Sequence, residues 1–243
     1  MLALQRLVAT DDADGIDALD ASEWAPESVV RQLVLFAVQQ GHADALAALL
    51  ARSPAAAAPK DGTSPAWLAA AAGDDLCLAV LLAVDPAEAS RVGVELSPAS
   101  IAALRGHRRC IEVVAEWAPA ALVAGERPAA CAAAMSGHSA VLGVLARLDG
   151  ALDVRDSDGR TPAYLAAAHG HSACLHAVAA HAPESLSAQV GEVTPIEVAF
   201  TKGNDDCVRV LLALGQPNPS TKWQCGCNVG EVCAPGAVGQ RAD

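Results

Sequence analysis

Aromatic side chains are nearly missing from this chain: one Tyr, two Phe and four Trp in 243 residues. A conventional globular core uses aromatics to bridge wide gaps between elements, so the interior here is filled in some other way. Positive charge is also short, with 16 Lys and Arg against 28 Asp and Glu for a net charge of −12. Phosphate neutralisation needs a positive footprint, so no nucleic-acid partner is expected. Long apolar runs are lacking too. The most apolar one, Leu76 to Val84, stops at Asp85, well short of the roughly 18 residues of a membrane span, and no membrane partner is expected. The start, Met1 to Val8, is interrupted by Gln5 and Arg6 and then turns acidic, without a signal-peptide pattern. Asn218-Pro219-Ser220 is barred as a glycosylation acceptor by its proline. The expected location is the cytoplasm, with the nucleus as the alternative, and the thiols are expected to be reduced.

The signatures of catalysis are absent as well. There is no phosphate-cradling Gly-rich loop, no Gly-X-Ser-X-Gly elbow and no His-Glu-X-X-His. Neither enzymatic activity nor a cofactor is expected, and no residue is assigned a catalytic role.

What the chain does have is small apolar residues in a fixed order. Hydrophobic residues make up 53% and charged residues 18%, which excludes disorder throughout; alanine supplies much of the apolar share and suits helices that approach closely in thin layers. Acid is concentrated at the start, where Asp11, Asp12, Asp14, Asp17, Asp20, Glu23 and Glu27 face a lone Arg6.

The order is a repeat. Gly41, Gly73, Gly106, Gly137, Gly170 and Gly203 are spaced by 32, 33, 31, 33 and 33 residues. Four residues before each stands Ala37, Ala69, Ala102, Ala133, Ala166 or Ala199. Five after stands Leu46, Leu78, Ile111, Leu142, Leu175 or Val208; eight after, Leu49, Leu81, Val114, Leu145, Val178 or Leu211. Eight before, four copies have Pro65, Pro98, Pro162 or Pro195; thirteen after, four have Pro54, Pro86, Pro119 or Pro183. Proline opens a helix well, because its missing N–H is an orphan there in any case, and Ser64, Ser97, Thr161 and Thr194 precede those prolines as caps. The alanine sits where neighbouring helices nearly touch. The glycine ends the first helix in a left-handed conformation. The apolar spacing after it describes one face of a second helix, which the later proline stops.

Asp158-Gly159-Arg160-Thr161-Pro162-Ala163-Tyr164-Leu165-Ala166-Ala167-Ala168-His169-Gly170-His171 resembles the ankyrin repeat, as does Asp61-Gly62-Thr63-Ser64-Pro65-Ala66-Trp67-Leu68-Ala69-Ala70. The resemblance covers about residues 28 to 215. It implies an all-α solenoid of about six stacked helix-turn-helix repeats; an armadillo or tetratricopeptide solenoid is the alternative, disfavoured by the short first helix. Residues 1–27 are expected to be an acidic N-terminal cap or degenerate repeat, with Leu4, Leu7, Ile16 and Leu19 as its stripe, and residues 216–243 a disordered tail containing Cys, Pro and Gly. Departures from the family occur. Its His two residues after the proline is replaced by Trp67, Ser100, Cys131, Tyr164 and Glu197, which predicts the loss of a usual hydrogen bond. The fourth copy is two residues short, with Ala129 at the proline position. Connections carry Pro where the family often has Gly-Ala-Asp, so regular hairpin fingers are not expected throughout.

Cys77, Cys110, Cys174 and Cys207 all fall four residues after the repeat Gly, where other copies have Ala45 and Val141. They read as small buried hydrophobes. Stacked repeats lie roughly 8–10 Å apart, too far for shared zinc–sulfur bonds of about 2.3 Å, so no metal is expected. His42, His107, His138 and His171 follow the Gly directly, and the resemblance makes them partners of the backbone. His169, His171, His176 and His181 crowd one repeat without the spacing of a zinc site. Cys225, Cys227 and Cys233 of the tail have no accompanying His.

The resemblance also places partner contacts on the connection tips and on the front of the first helices. Carried onto this chain, those positions include Arg31, Lys60, Leu96, Arg105, Arg127, Met135, Arg160, His169 and Lys202. Across about thirty such positions six are basic (Arg31, Lys60, Arg105, Arg127, Arg160 and Lys202) where the chain average gives about two; the acidic ones, Asp61 and Asp158, each precede a Gly in a turn. An acidic chain is thus expected to carry a basic front toward an acidic or phosphorylated protein segment, the plainer reading being scatter among solvated charges. Trp67 and Tyr164 share one repeat position and read either as partner anchors or as packing between repeats. The expected function is a protein-binding adaptor or scaffold; the alternative is a non-catalytic subunit of an enzyme complex, such as a substrate-recruiting one, whose tail recruits machinery or metal.

Overall fold

A computed structural model of the chain describes residues 2–19, 24–58, 64–91 and 96–219. Among them are fourteen α-helices and no named strand. They form consecutive pairs: α1 (Leu2–Ala9) and α2 (Ala13–Asp17), α3 (Glu27–Gln40) and α4 (Ala43–Arg52), α5 (Pro65–Ala72) and α6 (Asp75–Val84), α7 (Pro98–Arg105) and α8 (Arg108–Trp117), α9 (Ala129–Ser136) and α10 (Ser139–Leu145), α11 (Pro162–His169) and α12 (Ser172–Ala179), α13 (Pro195–Lys202) and α14 (Asp205–Ala213). From α3 onward, first helices pack on first helices and second on second, each pair touching the next. No helix among the described residues is long and apolar enough to cross a membrane.

Local chemistry sets each pair. The hydroxyls of Ser64, Ser97 and Thr161 accept the amide N–H three residues on, at 3.2–3.4 Å. At Thr194 the Glu197 carboxylate accepts both the backbone N–H and the hydroxyl, at 2.8 and 2.9 Å. In the short fourth copy Pro128 moves into the cap position and α9 still has eight residues. The first copy, the other one without an opening proline at this position, has Leu33 in its place, and there the first helix runs back to Glu27. The prolines thirteen residues after the Gly do more than stop the second helix. Pro54, Pro86, Pro119 and Pro183 each open a four-residue 3-10 turn, whose last residues, such as Ala121 and Leu122, enter the core. Hairpin fingers occur at Asp156–Arg160, where backbone bonds close the turn, and at Val190–Val193, which form an isolated antiparallel bridge.

The six alanines before the glycines are wholly buried, as are Cys77, Cys110, Cys174 and Cys207. Burial pushes the Cys110 thiol up to about 12 and Cys174 to about 11. No cluster among the described residues has the make-up of a metal site; Cys225, Cys227 and Cys233 lie outside them. The loss of a hydrogen bond expected where the family's His is replaced is corrected at two positions. The Ser100 hydroxyl donates to the Arg127 carbonyl at 2.5 Å, and the Cys131 thiol to that of Arg160 at 3.7 Å. Both link one repeat to the connection that leads into the next.

The glycines answer two demands at once. Each closes its helix with φ between +74° and +84°, the left-handed region that a Cβ resists. A Cβ on Gly73, Gly106 or Gly137 would also stand 2.6–2.7 Å from the ring of His107, His138 or His171. Those rings donate to the carbonyls of Ala71, Leu104 and Met135 in the preceding repeat, at 3.0–3.2 Å. Asn204 does the same to Ala167, at 2.8 Å. The pattern reaches into the first pair, where His42 donates to Val8 at 2.7 Å and Asp11, with φ +55°, stands where later copies have glycine.

Candidate partner-binding front

The front is assembled from the C-terminal ends of the first helices and from the connections that precede them. Both are fixed by the same repeat chemistry, so equivalent residues stand in rows along the stack. Lys60 lies outside the described residues, as do Asp61 and Thr63; every other contact-prone position named above can be placed.

Several of the basic residues are already spoken for within the chain. Arg31 donates to Glu27 at 3.2 Å and to the Ala55 carbonyl at 3.3 Å. Arg105 donates to the Ala71 carbonyl at 2.7 Å, sharing that acceptor with His107. A cation at a helix C-terminus is favoured by the partial negative charge of the last carbonyls, and this accounts for Arg105 without a partner. Arg160 donates to Asp156 at 2.8 Å and pairs with Asp158 at 2.5 Å. Asp156 is the residue that sequence reasoning missed. Its buried carboxylate also accepts the amides of Asp158 and Arg160, at 3.1 and 2.8 Å, and so organises the finger. The run Asp156-Ser157-Asp158-Gly159 carried that signal, since Asp two residues before a turn amide is a common local acceptor.

Arg127 and Lys202 differ: neither side chain has a hydrogen bond or ion pair among the described residues. Arg127 is half-buried and lines a cleft of about 300 Å³ together with Leu96, Glu126 and Ser157. The Ser157 amide donates to the Glu126 carbonyl at 2.8 Å, tying the tips of two successive connections together. The structure therefore brings Leu96 and Arg127 into one cleft, and adds Glu126 and Ser157 to them.

A second group forms between the last two repeats. His169 is exposed and stacks on His171, with ring centroids 6.3 Å apart and planes within 9°. Its pKa is held below the ordinary histidine value by burial first, and then by the charges of His171, Arg160 and Lys202. The His169 ring thus stands within the field of two cations, Arg160 and Lys202. Met135, Trp67 and Tyr164 are half-buried and pack against the core. The Trp67 indole N–H is buried and has no hydrogen-bond acceptor among the described residues.

Comparisons with known proteins agree with this geometry. Residues 130–222 match the family model described as Ankyrin repeats (3 copies). The ankyrin repeat domain of human ASB11 superposes with a TM-score of 0.62, covering 88% of this chain and 98% of that one at 20% identity. That of Bcl-3, described as a unique member of the IkappaB protein family, gives a TM-score of 0.66 over 76% of this chain and 86% of its own, at 18% identity. At such identities the likeness is one of fold.

Proposed function

We propose that this chain, which carries ankyrin repeats, is a non-catalytic interaction module that holds an acidic or phosphorylated protein segment along its front. Ankyrin repeat domains are generally protein–protein interaction modules. The observation that carries the finer reading is Arg127: a half-buried side chain in a cleft at the connection tips, lined also by Glu126 yet with no ion pair among the described residues. Guanidinium grips a carboxylate or phosphate through two parallel N–H donors, and Ser157 adds a hydroxyl beside it. Lys202 and the His169 ring extend the same surface toward the C-terminal repeats. Repeats stack roughly 10 Å apart, about three residues of extended chain, so an extended segment meets one row position every third residue.

Residues 28–215 are the repeat domain in this reading, with residues 1–27 as its N-terminal cap. Support for the cap comes from Leu4, Val8 and Ile16, which are fully buried, and from His42, which clamps α1 as later histidines clamp later helices.

The test is capture of partners from a cell extract by the full chain, with identification by mass spectrometry, repeated for Arg127→Glu. Loss of one charge-assisted contact, about 1.5–3 kcal/mol, lowers recovery at least tenfold, and added salt weakens the wild-type complex. Partners retained by Arg127→Glu with unchanged salt dependence overturn the basic-front reading.

A further inference from the structure

Interior repeats bury certain apolar positions against the repeat that follows. Three residues before the glycine these are Val38, Ala70, Ala103, Ala134 and Ala167, all essentially inaccessible; five after it, Leu46, Leu78, Ile111, Leu142 and Leu175, all fully buried. Nine after it, Leu50 and Leu82 are likewise buried, and Ala115, Ala146 and Ala179 are half-buried. In the last pair the same positions hold Phe200, 47% exposed, Val208, half-buried, and Leu212, 39% exposed. Leu214 is exposed too, but so are Val84 and Trp117 at its position in interior repeats, so Leu214 is no mark of an open end. At the opposite end α1 and α2 turn Leu4, Val8 and Ile16 inward. The array is closed where it begins and apolar where it ends.

A further repeat in the same register does not fit this end. First helices meet there through alanine in four junctions and through Val38 in the first, and Phe200 in that place would hold the next helix off, because a packed junction does not absorb six carbons more than alanine brings. The face therefore suits an occupant that is not another repeat of the array. It also carries both signs of charge. Lys202 ends α13 and Asp205 begins α14, each exposed and each without a partner among the described residues, whereas Asp206 is paired with Arg209. A two-fold axis sets a patch against itself. On this face it lays one Phe200 ring beside the other, an offset aromatic pair, and turns each Lys202 toward the Asp205 of the other copy.

We propose that the C-terminal end of the array is a contact between two copies of this chain, formed through Phe200, Val208 and Leu212 and oriented by Lys202 and Asp205. The contact is small beside the roughly 800 Å² per partner of a standard interface, so the dimer is reversible. It shares Lys202 with the partner-binding reading above but is tested on the chain alone, so the two readings fail separately.

Sedimentation equilibrium of the full chain, from about 1 to about 200 μM, a span that brackets micromolar association, tests it. The average mass is expected to climb from 24.6 kDa toward twice that value. Phe200→Ser weakens association at least tenfold while the far-ultraviolet spectrum is unchanged; if that variant does not fold, Leu212→Ser serves in its place. Asp205→Lys weakens association, and adding Lys202→Glu restores it. A mass fixed at 24.6 kDa over the whole range overturns the proposal, for the face is then covered within one chain or left for another protein. So does self-association that survives both serine substitutions, or growth beyond the dimer, which marks head-to-tail contact.

Discussion

Substituting Gly106 by alanine separates the two reasons for glycine at the end of the first helix. At φ +78°, an added Cβ costs about 1–2 kcal/mol of backbone strain. The same Cβ would sit 2.6 Å from Nδ1 of His138, nearer than carbon and nitrogen approach without a bond, and the obstacle is the ring of a side chain held in place by its 3.0 Å bond to the Leu104 carbonyl. Moving the ring gives up that hydrogen bond, about 0.5–1.5 kcal/mol net, and leaves a carbonyl short of a donor. Together these give a loss of about 2–4 kcal/mol. Urea unfolding followed by circular dichroism reads it as a lower midpoint at unchanged slope. Gly125→Ala is the matched control: φ is +89° and nothing lies within 4 Å of the new methyl, so only the strain of about 1–2 kcal/mol remains. Gly106→Ala with His138→Ala completes the cycle. Once the ring is gone the methyl has room, and the double variant should lose at least about 1 kcal/mol less than the sum of the singles. Equal losses for Gly106→Ala and Gly125→Ala, or strict additivity in the double variant, would refute the reasoning.

Ala133→Leu should overpack the junction between α9 and its neighbours and cost about 1–3 kcal/mol, seen as a lower melting temperature. Arg160→Ala should cost about 1–2 kcal/mol, since it leaves the buried Asp156 carboxylate without its cation while the arginine itself is a third exposed; Arg127→Ala should stay within about 0.5 kcal/mol, as expected away from any stabilising contact. Native labelling with a thiol reagent should leave Cys110, Cys131 and Cys174 unmodified until the chain is unfolded. Burial pushes these thiols up to about 12, 12 and 11. Above the ordinary thiol value the unfolded chain ionises while the folded one stays protonated, so the folded state holds more protons and stability falls as pH rises from about 9 toward 11. A urea midpoint unchanged between those two values counts against the burial of these thiols.

Much of the architecture was legible before any coordinates because each feature is local or periodic. A proline after a serine or threonine opens a helix through groups within three residues of it, as Ser64 and Thr161 show. A glycine in left-handed conformation closes the helix eight residues later. The register of alanine and leucine then assigns the buried face, and with it the four cysteines, whose burial follows from their place in the repeat and not from their chemistry. What the sequence could not supply is which polar groups find each other across repeats. Ser100 and Cys131 were expected to lose a hydrogen bond, yet each finds a carbonyl 27 or 29 residues on, a distance that only stacking closes. Arg31 and Arg160 share a pattern position with Arg127, and Arg105 shares one with Lys202, and pattern treats them alike. Only the folded array shows three of them spent on intrachain acceptors, while Arg127, beside Leu96 and Ser157, has no such acceptor among the described residues. The same holds at the end of the stack: composition names Phe200 as apolar, but its exposure depends on whether a further repeat lies over it. Short-range geometry is written in the spacing of residues, whereas the state of a charge or an exposed ring is set by neighbours that the chain brings near only by folding.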